Sequence, residues 1–317
     1  MPDQPLSAAR LLGIGGAHID RRGQVAGLYV PAASNPGQMR EDIGGVVFNA
    51  LREARQRGAD AALISLRGGD AGGDSIAAAI AQAGIADLSA VFLDRATSSY
   101  TAILDRDGEM VTALADMALY DLFPRQLQRS AMRATVASAG AVLCDANLPA
   151  LALKMVVHYA DTAPVYGIGI SPAKIVRYAA VTPRIACLFM NRKEAAALSG
   201  ASVESPPREL VEALRTAGLQ CGVITAGDGP VTIFAPGLLQ SISPPKAETI
   251  VDVTGAGDAL AGATVTALMR GTPFAEAVRE GLAAAMLTLA SREAVPRFDD
   301  AAFAAALALV PEAVEMA

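Results

Sequence analysis

Residues 252–263 read Asp-Val-Thr-Gly-Ala-Gly-Asp-Ala-Leu-Ala-Gly-Ala, a glycine-rich turn that leads directly into an apolar segment of helical period. Gly255 and Gly257 allow successive backbone N–H groups to point outward at the start of a helix, where the helix dipole favours negative charge. This arrangement predicts a phosphate-binding turn. A carboxylate at Asp258 would repel phosphate, but it suits the turn if it accepts a proton during phosphoryl transfer to an alcohol.

The same turn has a purely structural alternative. Glycines before a helix often form only a tight turn, and the helix dipole favours an acidic residue such as Asp258 in the first turn. Other parts of the chain therefore have to decide between the two interpretations.

Composition limits the classes of protein to be considered. The chain has 317 residues, 52% of them hydrophobic, and a formal net charge of −6. This charge offers no basic field for nucleic acid, which we therefore exclude as a partner. The cysteines at 144, 187 and 221 lie in or beside apolar runs without metal-ligand spacing, as is typical of a reducing compartment. The N-terminus lacks signal-peptide features and no apolar run is long enough to span a membrane, so we expect a soluble, cytoplasmic protein without a membrane partner.

Apolar segments of strand and helix character alternate along most of the chain. They predict a doubly wound α/β fold, with a mostly parallel sheet covered by helices on both faces. The first segments are a strand at 10–14, a helix at 46–54 and strands at 61–66 and 90–93. With no low-complexity linker, residues 1–317 are interpreted as one domain.

Two segments interrupt this alternation. Residues 24–44 have no helical period, and residues 98–115 resemble a hairpin that turns at 105–108. Together they predict a small β-sheet lid, formed by about 17–44 and 96–115, over the carboxyl ends of the main strands. The alternative is a pair of surface hairpins without a function.

Two common nucleotide-binding motifs are absent from the sequence. The chain has no Gly-x4-Gly-Lys-Ser/Thr, which excludes a P-loop kinase. Gly13-Ile-Gly15-Gly-Ala-His18 lacks the third glycine of a dinucleotide fingerprint. A dinucleotide-binding protein is therefore a weak alternative.

Four motifs together resemble the signatures of the ribokinase, or PfkB-type, carbohydrate kinases. The glycine-rich turn at 252–258 resembles one of them, and the other three are Gly44-Gly45 followed by Asn49, Asn191-x-x-Glu194 and Thr225-x-Gly227. They occur in the order found in the family. The resemblance implies a doubly wound sheet with a β lid, and a kinase that uses ATP.

The resemblance also implies roles for individual residues. Asp258 corresponds to the base that deprotonates the acceptor hydroxyl, and the backbone N–H groups of Gly255, Ala256 and Gly257 form the anion hole. The ATP site is lined by Asn191, Thr225, Gly227 and Gly229. Glu194 and Asn191 would order Mg²⁺ through water, whereas a capping role is the alternative for Glu194. Asp252 corresponds to a position near a monovalent cation site, often filled by K⁺.

The acceptor site follows from the same resemblance. Asp20 would accept hydrogen bonds from vicinal sugar hydroxyls, close to Gly44, Gly45 and Asn49. Within the family, residues around Asp20, together with Ser34, Asn35, Tyr100 and Asn147, resemble the pseudouridine kinase branch. That branch phosphorylates the 5′-hydroxyl of pseudouridine with ATP.

Several alternatives to this substrate and activity stay open. Another kinase of the family, acting on ribose, adenosine or fructose, uses the same core, and a non-catalytic sugar or nucleoside sensor could retain the fold. The exposed edge of the lid sheet also offers a route to a homodimer.

Overall fold

The computed structural model describes residues 10–246 and 250–316, and the following elements lie within them. The strands are β1 (Leu11–Ile14), β2 (His18–Val25), β3 (Gly37–Gly44), β4 (Ala61–Ile64), β5 (Leu66–Gly68), β6 (Ala86–Asp87), β7 (Ala90–Phe92), β8 (Ser99–Leu104), β9 (Met110–Asp116), β10 (Ala141–Asp145), β11 (Val165–Ile168), β12 (Ile185–Asn191), β13 (Gly222–Ala226), β14 (Gly229–Ala235), β15 (Leu238–Ile242) and β16 (Val314–Glu315). The α-helices are α1 (Val46–Gln56), α2 (Ala71–Gln82), α3 (Phe123–Leu127), α4 (Ser130–Ala137), α5 (Ala150–Tyr159), α6 (Pro172–Ile175), α7 (Arg192–Ser199), α8 (Pro207–Thr216), α9 (Ala256–Met269), α10 (Phe274–Leu289) and α11 (Asp300–Leu309).

The main sheet has ten strands in the order β16-β15-β14-β13-β12-β11-β10-β1-β4-β6. The strands from β13 to β6 in this order are parallel, and β14, β15 and β16 add an antiparallel edge. From β1 the chain proceeds to β4 on one side and later to β10 on the other. The strand order therefore reverses beside β1, and the crevice at the carboxyl ends of β1 and β10 is where such sheets bind ligands.

Hydrophobic clusters cover both faces of the main sheet. Leu11 of β1 packs in a cluster with Leu51 of α1 and Ala261 of α9, whereas Leu12 packs in a second cluster with Phe123 and Leu153. Successive side chains of a strand point to opposite faces, so the apolar run of β1 requires helices on both sides. The predicted doubly wound α/β class is confirmed.

A second sheet has the strand order β3-β2-β8-β9. β2 pairs antiparallel with β3 and parallel with β8, and β8 pairs antiparallel with β9. The β8–β9 turn lies at the predicted position, where Asp105 Oδ1 accepts hydrogen bonds from Asp107 N and Glu109 N, both at 2.9 Å. The two segments that interrupt the α/β alternation thus form a separate four-stranded sheet.

The predicted strand at 90–93 forms, but it does not belong to the main sheet. β7 pairs with β5 in a separate two-stranded sheet, while the short β6 forms the edge of the main sheet. The predicted strand 61–66 is divided at Ser65, whose N–H donates to Ser89 Oγ at 3.2 Å. Hydrophobicity alone shows an extended segment but not the sheet that it joins.

In the part of the chain that the structure describes, we find no helix with the length and apolarity needed to span a membrane.

Candidate active site

The glycine-rich turn forms the start of α9. Gly255 precedes the helix with φ +85°, and a Cβ there would collide with the carbonyl oxygen of Ala294, so this position requires glycine. Within the described residues, α9 begins without a side-chain cap. A Cβ on Gly257 would meet nothing within 4 Å. The turn therefore leaves open space beside Gly257 at the start of a helix without a side-chain cap, a position that favours anions.

Asp258 lies in the first turn of α9, and its Oδ2 accepts a hydrogen bond from Asn49 Nδ2 at 2.9 Å. Burial of this carboxyl group raises its pKa to about 7; the hydrogen bond from Asn49 opposes the rise, and the charges of Asp145 and Asp20 add to it. A carboxyl group with a pKa near 7 can be ionised and still accept a proton at neutral pH.

Close packing of two helices brings Asn49 to Asp258. Asn49 lies in the first turn of α1 and its N–H donates to Gly45 O at 2.8 Å. A Cβ on Gly262 of α9 would overlap the backbone of Ala50, so the two helices approach closely at this glycine. Asn49 is buried, and among the described residues its Oδ1 has no hydrogen-bond partner. This oxygen is a desolvated acceptor beside the candidate base, and a substrate hydroxyl would satisfy it.

Asp20 lies on β2, against Gly44. A Cβ on Gly44 would overlap the Asp20 carboxylate, so only glycine allows this approach. Asp20 Oδ1 is 3.2 Å from His18 Nε2, and His18 Nδ1 is 3.2 Å from the hydroxyl group of Tyr120. Tyr120 in turn donates to Ala17 O at 3.1 Å. His18 and Tyr120, which orient Asp20, were not predicted from the sequence; Tyr120 is about a hundred residues away in the chain and carries no signal of this role.

Asp145 is a further residue that the sequence analysis did not assign. It ends β10, is fully buried, and accepts hydrogen bonds from Gly16 N at 3.0 Å and Asn147 N at 2.8 Å. Burial raises its pKa, and the backbone hydrogen bonds oppose that rise. Asp145 thus joins the carboxyl ends of β1 and β10. The signal available in the sequence was an acidic residue at the end of a wholly apolar strand.

Asn147 is buried next to this carboxylate. Its Oδ1 accepts a hydrogen bond from Lys174 Nζ at 2.7 Å, and its backbone oxygen accepts one from Arg177 at 2.8 Å. Burial of Lys174 lowers the pKa of its ammonium group. Lys174 of α6 and Arg177, just after this helix, therefore hold Asn147 in place.

The residues expected to line the ATP site lie at the ends of neighbouring strands. Thr225 of β13 pairs with Asn191 of β12, Gly227 has φ +66° with open space beside it, and Gly229 begins β14. The structure brings these residues together at the carboxyl ends of β12 and β13 and the start of β14. Together they leave room for a ligand over the β13–β14 turn.

Asn191 and Glu194 form a capping box at the start of α7. Glu194 N donates to Asn191 Oδ1 at 2.9 Å, and Asn191 N donates to Glu194 Oε2 at 2.8 Å. Glu194 is buried, which raises its pKa. Residues 10–246 and 250–316 contain no group of three or more His, Cys, Asp or Glu side chains that could hold a metal. The structure thus shows Glu194 in the capping role that was its alternative, and this pair could contact Mg²⁺ only through water.

The predicted base-contacting residues have different surroundings. Asn35 closes a turn, because its Oδ1 accepts from Val30 N at 2.8 Å and its Nδ2 donates to Val30 O at 2.9 Å. Ser34 is exposed in the same turn. Tyr100 of β8 lies directly opposite Asp20 of β2 and is partly exposed. Of these three, Tyr100 is the residue that the strand register places beside Asp20.

Asp252 makes an ion pair that the sequence analysis did not predict. Its Oδ2 accepts a hydrogen bond from Arg22 Nη1 at 2.6 Å, and its Oδ1 accepts one from Thr254 N at 2.9 Å. Burial favours a higher pKa for Asp252, but the hydrogen bonds from Thr254 and Arg22 lower it below its ordinary value. The guanidinium group already neutralises this carboxylate, so the arrangement does not favour a K⁺ ion on it.

A cavity of about 1020 Å³ adjoins these groups, with Asp20, Arg22, Gly44 and Thr254 among its lining residues. It thus extends from the second sheet to the glycine-rich turn. Asp258 and Asn49 are not among the described residues that line it.

Comparison with known proteins identifies the family. The chain matches the pfkB family carbohydrate kinases over residues 8–300. It belongs to this family. Over 271 residues it is 30% identical to pseudouridine kinase from Escherichia coli (strain K12), which covers 84% of this chain and 86% of that protein. This PfkB kinase is therefore a phosphotransferase, as the resemblance of its motifs predicts.

Solved structures agree with this assignment. A carbohydrate kinase from Agrobacterium tumefaciens is 44% identical with a TM-score of 0.86, covering 96% of this chain and 98% of that one. Arabidopsis thaliana ribokinase complexed with ribose and ATP is 21% identical with a TM-score of 0.83, covering 95% and 99%. The second likeness shows that the ribokinase-like fold of the PfkB kinases is present.

Proposed function

We propose that this PfkB kinase transfers the γ-phosphoryl group of ATP to the 5′-hydroxyl of pseudouridine, giving pseudouridine 5′-phosphate and ADP. The observation that carries the proposal is the Asp258 carboxyl group, held at 2.9 Å by Asn49 at the uncapped start of α9. Its pKa of about 7 suits a base at neutral pH.

The acceptor binds between the second sheet and α1. Asp20 accepts hydrogen bonds from two ribose hydroxyls, because a carboxylate offers acceptors for two donors. The Oδ1 of Asn49, which has no partner among the described residues, accepts a third, and Gly44 and Gly45 adjoin this site, with the Asp20 carboxylate against Gly44. These contacts support a 5′-hydroxyl position close to Asp258.

ATP binds over Thr225, Gly227 and Gly229, with its γ-phosphate at the start of α9. Asp258 takes the proton of the 5′-hydroxyl as its oxygen forms a bond to the γ-phosphorus, and the bond from that phosphorus to the ADP oxygen breaks. The N–H groups of residues 255–257 donate to the equatorial oxygens as their charge redistributes. Mg²⁺, held through water by Asn191 and Glu194, would neutralise phosphate charge when bound.

The choice of nucleoside rests on finer similarities. Pseudouridine kinase is one of the relatives that align over most of both chains. Tyr100 faces the acceptor site beside Asp20 and can stack on a base, and Asn147 lies next to the buried Asp145. Ser34 and Asn35 shape the turn at the end of the β2–β3 hairpin. A kinase for ribose, adenosine or fructose, or a non-catalytic sensor, is the competing interpretation.

The test is ADP release with pseudouridine, uridine, adenosine, ribose and fructose as acceptors. We expect kcat/KM for pseudouridine to exceed that for every other acceptor by at least about tenfold. Phosphorus NMR of the product should place the phosphate on the 5′-carbon. A higher kcat/KM for another acceptor would refute the proposed substrate. Absence of ADP release with all five, together with measurable acceptor binding, would favour the sensor.

We also propose that residues 1–317 act as one kinase domain, with the second sheet as its lid, and that two lids pair in a homodimer. β3 and β9 are the edges of this sheet, and Met39, Met110 and Leu114 are exposed on them. Exposed edges with apolar side chains are suited to pairing with a second chain.

A further inference from the structure

Arg22 connects the second sheet to the phosphate-binding turn. It lies on β2, and its guanidinium group donates to Asp252 Oδ2 at 2.6 Å and to Thr254 Oγ1 at 2.7 Å. The two acceptors lie three positions and one position before Gly255, the first residue of the proposed anion hole. A single side chain thus joins two elements that are separated by 230 positions in the sequence.

The geometry of this connection depends on arginine. A guanidinium group presents several N–H donors in one plane, so it can contact two acceptors at once, whereas an ammonium group is a point charge without this fork. The Thr254 N–H also donates to Asp252 Oδ1 at 2.9 Å. Arg22, Asp252 and Thr254 therefore close a ring of hydrogen bonds that fixes the conformation of the turn.

Arg22 also shares a face of β2 with Asp20. Residues two apart on a strand point to the same side of a sheet, and both side chains line the same cavity. The strand that would hold the acceptor through Asp20 is thus the one that Arg22 holds against the phosphate-binding turn.

We propose that Arg22 is a positioning residue that couples closure of the second sheet on the acceptor to the geometry of the anion hole. The proposal rests on the proposed function of Asp20 and Asp258. When Arg22 binds Asp252 and Thr254, the acceptor and the N–H groups of residues 255–257 are held in a fixed position relative to each other. Without it, each part can bind its own ligand but the two are no longer aligned for transfer.

The adjacent residue provides a matched control. Arg21 makes an ion pair with Glu41 at 2.8 Å, but this pair joins β2 only to β3, opposite it in the same sheet. The side chains of Arg22 and Arg21 are similarly exposed, 37% and 39%. Arg21→Gln therefore removes the same charge from the same strand without disconnecting the turn.

The experiment compares Arg22→Gln and Arg21→Gln with the acceptor that the wild-type enzyme phosphorylates fastest. For Arg22→Gln we expect kcat to fall by about tenfold to a hundredfold with KM for the acceptor changed less than about threefold, because alignment is lost and binding is kept. Asp252→Asn should give a similar loss, and the double variant should be no worse than either single variant. Arg22→Lys should recover only part of the rate, and guanidinium ions should partly restore Arg22→Ala.

Hydrogen exchange provides a readout that does not need turnover. In the free protein, amides of residues 18–25 should exchange faster in Arg22→Gln than in Arg21→Gln, while both variants keep the wild-type melting temperature within a few degrees. Equal kinetics and equal exchange in these two variants would overturn the proposal, as would additive losses in the Arg22→Gln/Asp252→Asn enzyme. Failure of the wild-type enzyme to phosphorylate any acceptor would instead refute the proposed function, and the exchange comparison would still decide the role of Arg22.

Discussion

At the scale of single residues, Asp258 combines two conflicting requirements. It stands at the start of a helix that attracts anions, yet burial and the nearby carboxylates Asp145 and Asp20 raise its pKa to about 7. The helix dipole and Asn49 keep the ionised form accessible, and the buried surroundings make it a better proton acceptor than an exposed aspartate. Such a carboxylate suits the proposed deprotonation of an alcohol at neutral pH.

Replacement of this carboxylate should abolish transfer without unfolding the protein. We expect Asp258→Asn to lower kcat by at least about a thousandfold, since a general base contributes about 10²–10⁴ in rate. ADP release measures the effect. Asp74→Asn, which changes an exposed aspartate in the first turn of α2, is the control and should keep wild-type activity. A near-wild-type rate for Asp258→Asn would exclude Asp258 as the base.

The raised pKa also predicts pH dependence. Only the ionised carboxylate accepts a proton, so kcat/KM should rise with pH through about 7 and then level off. The hydrogen bond from Asn49 lowers this pKa, so the residual activity of Asn49→Ala should have its midpoint at higher pH. A midpoint at lower pH in Asn49→Ala would contradict the assignment.

The same shift has a consequence for stability. The folded protein binds the Asp258 proton more tightly than the unfolded chain, so this stabilisation is complete below about pH 4 and is lost as pH rises through about 7. Asp258→Asn has no such loss. Its melting temperature at pH 8 should equal or exceed that of the wild type, and a clear decrease would show that the carboxylate stabilises the fold.

At the scale of secondary-structure elements, the start of α1 depends on Gly45. Its φ is +125°, and a Cβ would collide with the backbone of Gly16, next to the strand that carries Asp20. The positions of Asn49 and of β2 are therefore set by the same backbone contact. Helix propensity along α1 cannot predict this contact, because Gly45 and Gly16 belong to different parts of the chain.

We expect Gly45→Ala to impair both stability and turnover. The positive φ alone costs about 1–3 kcal/mol in a non-glycine residue, and the collision displaces α1 from β2. Gly58→Ala, just beyond the other end of α1, is the control: its φ is +88°, but a Cβ there meets nothing within 4 Å. Denaturant unfolding should show a loss in both variants, whereas kcat/KM should fall only in Gly45→Ala. Equal kinetic effects would contradict the role of the contact with Gly16.

At the scale of the whole molecule, the exposed edges of the second sheet predict self-association. We expect sedimentation to give a dimer at micromolar concentration and Leu114→Glu, on the exposed face of β9, to give a monomer, because a buried charge without a partner opposes pairing. Leu309→Glu is the control. It changes a leucine of similar exposure at the end of α11, outside the second sheet, and should leave the dimer intact. A monomeric wild type would refute the lid-mediated dimer.

Much of the fold could be predicted from local pattern. Alternating apolar segments indicate a covered parallel sheet, and the turn at 105–108 marks a hairpin, because each signal lies within a few residues. The strand at 90–93 shows the limit: its apolar character is evident, yet it pairs with β5 and not with the main sheet. Pairing depends on the path of the chain between strands, which no short segment contains.

The sequence by itself determined the family, the glycine-rich turn and the candidate base, since these depend on residue types at fixed spacing. Only the tertiary structure showed Asn49 donating to Asp258, Tyr120 and His18 orienting Asp20, and Arg22 joining the second sheet to Asp252. The hydrogen bonds of Asn49 with Asp258, His18 with Tyr120 and Arg22 with Asp252 each join positions about a hundred or more residues apart. Hydrogen bonds and ion pairs depend on distance and direction in space, so they become definite only when the helices and sheets have packed.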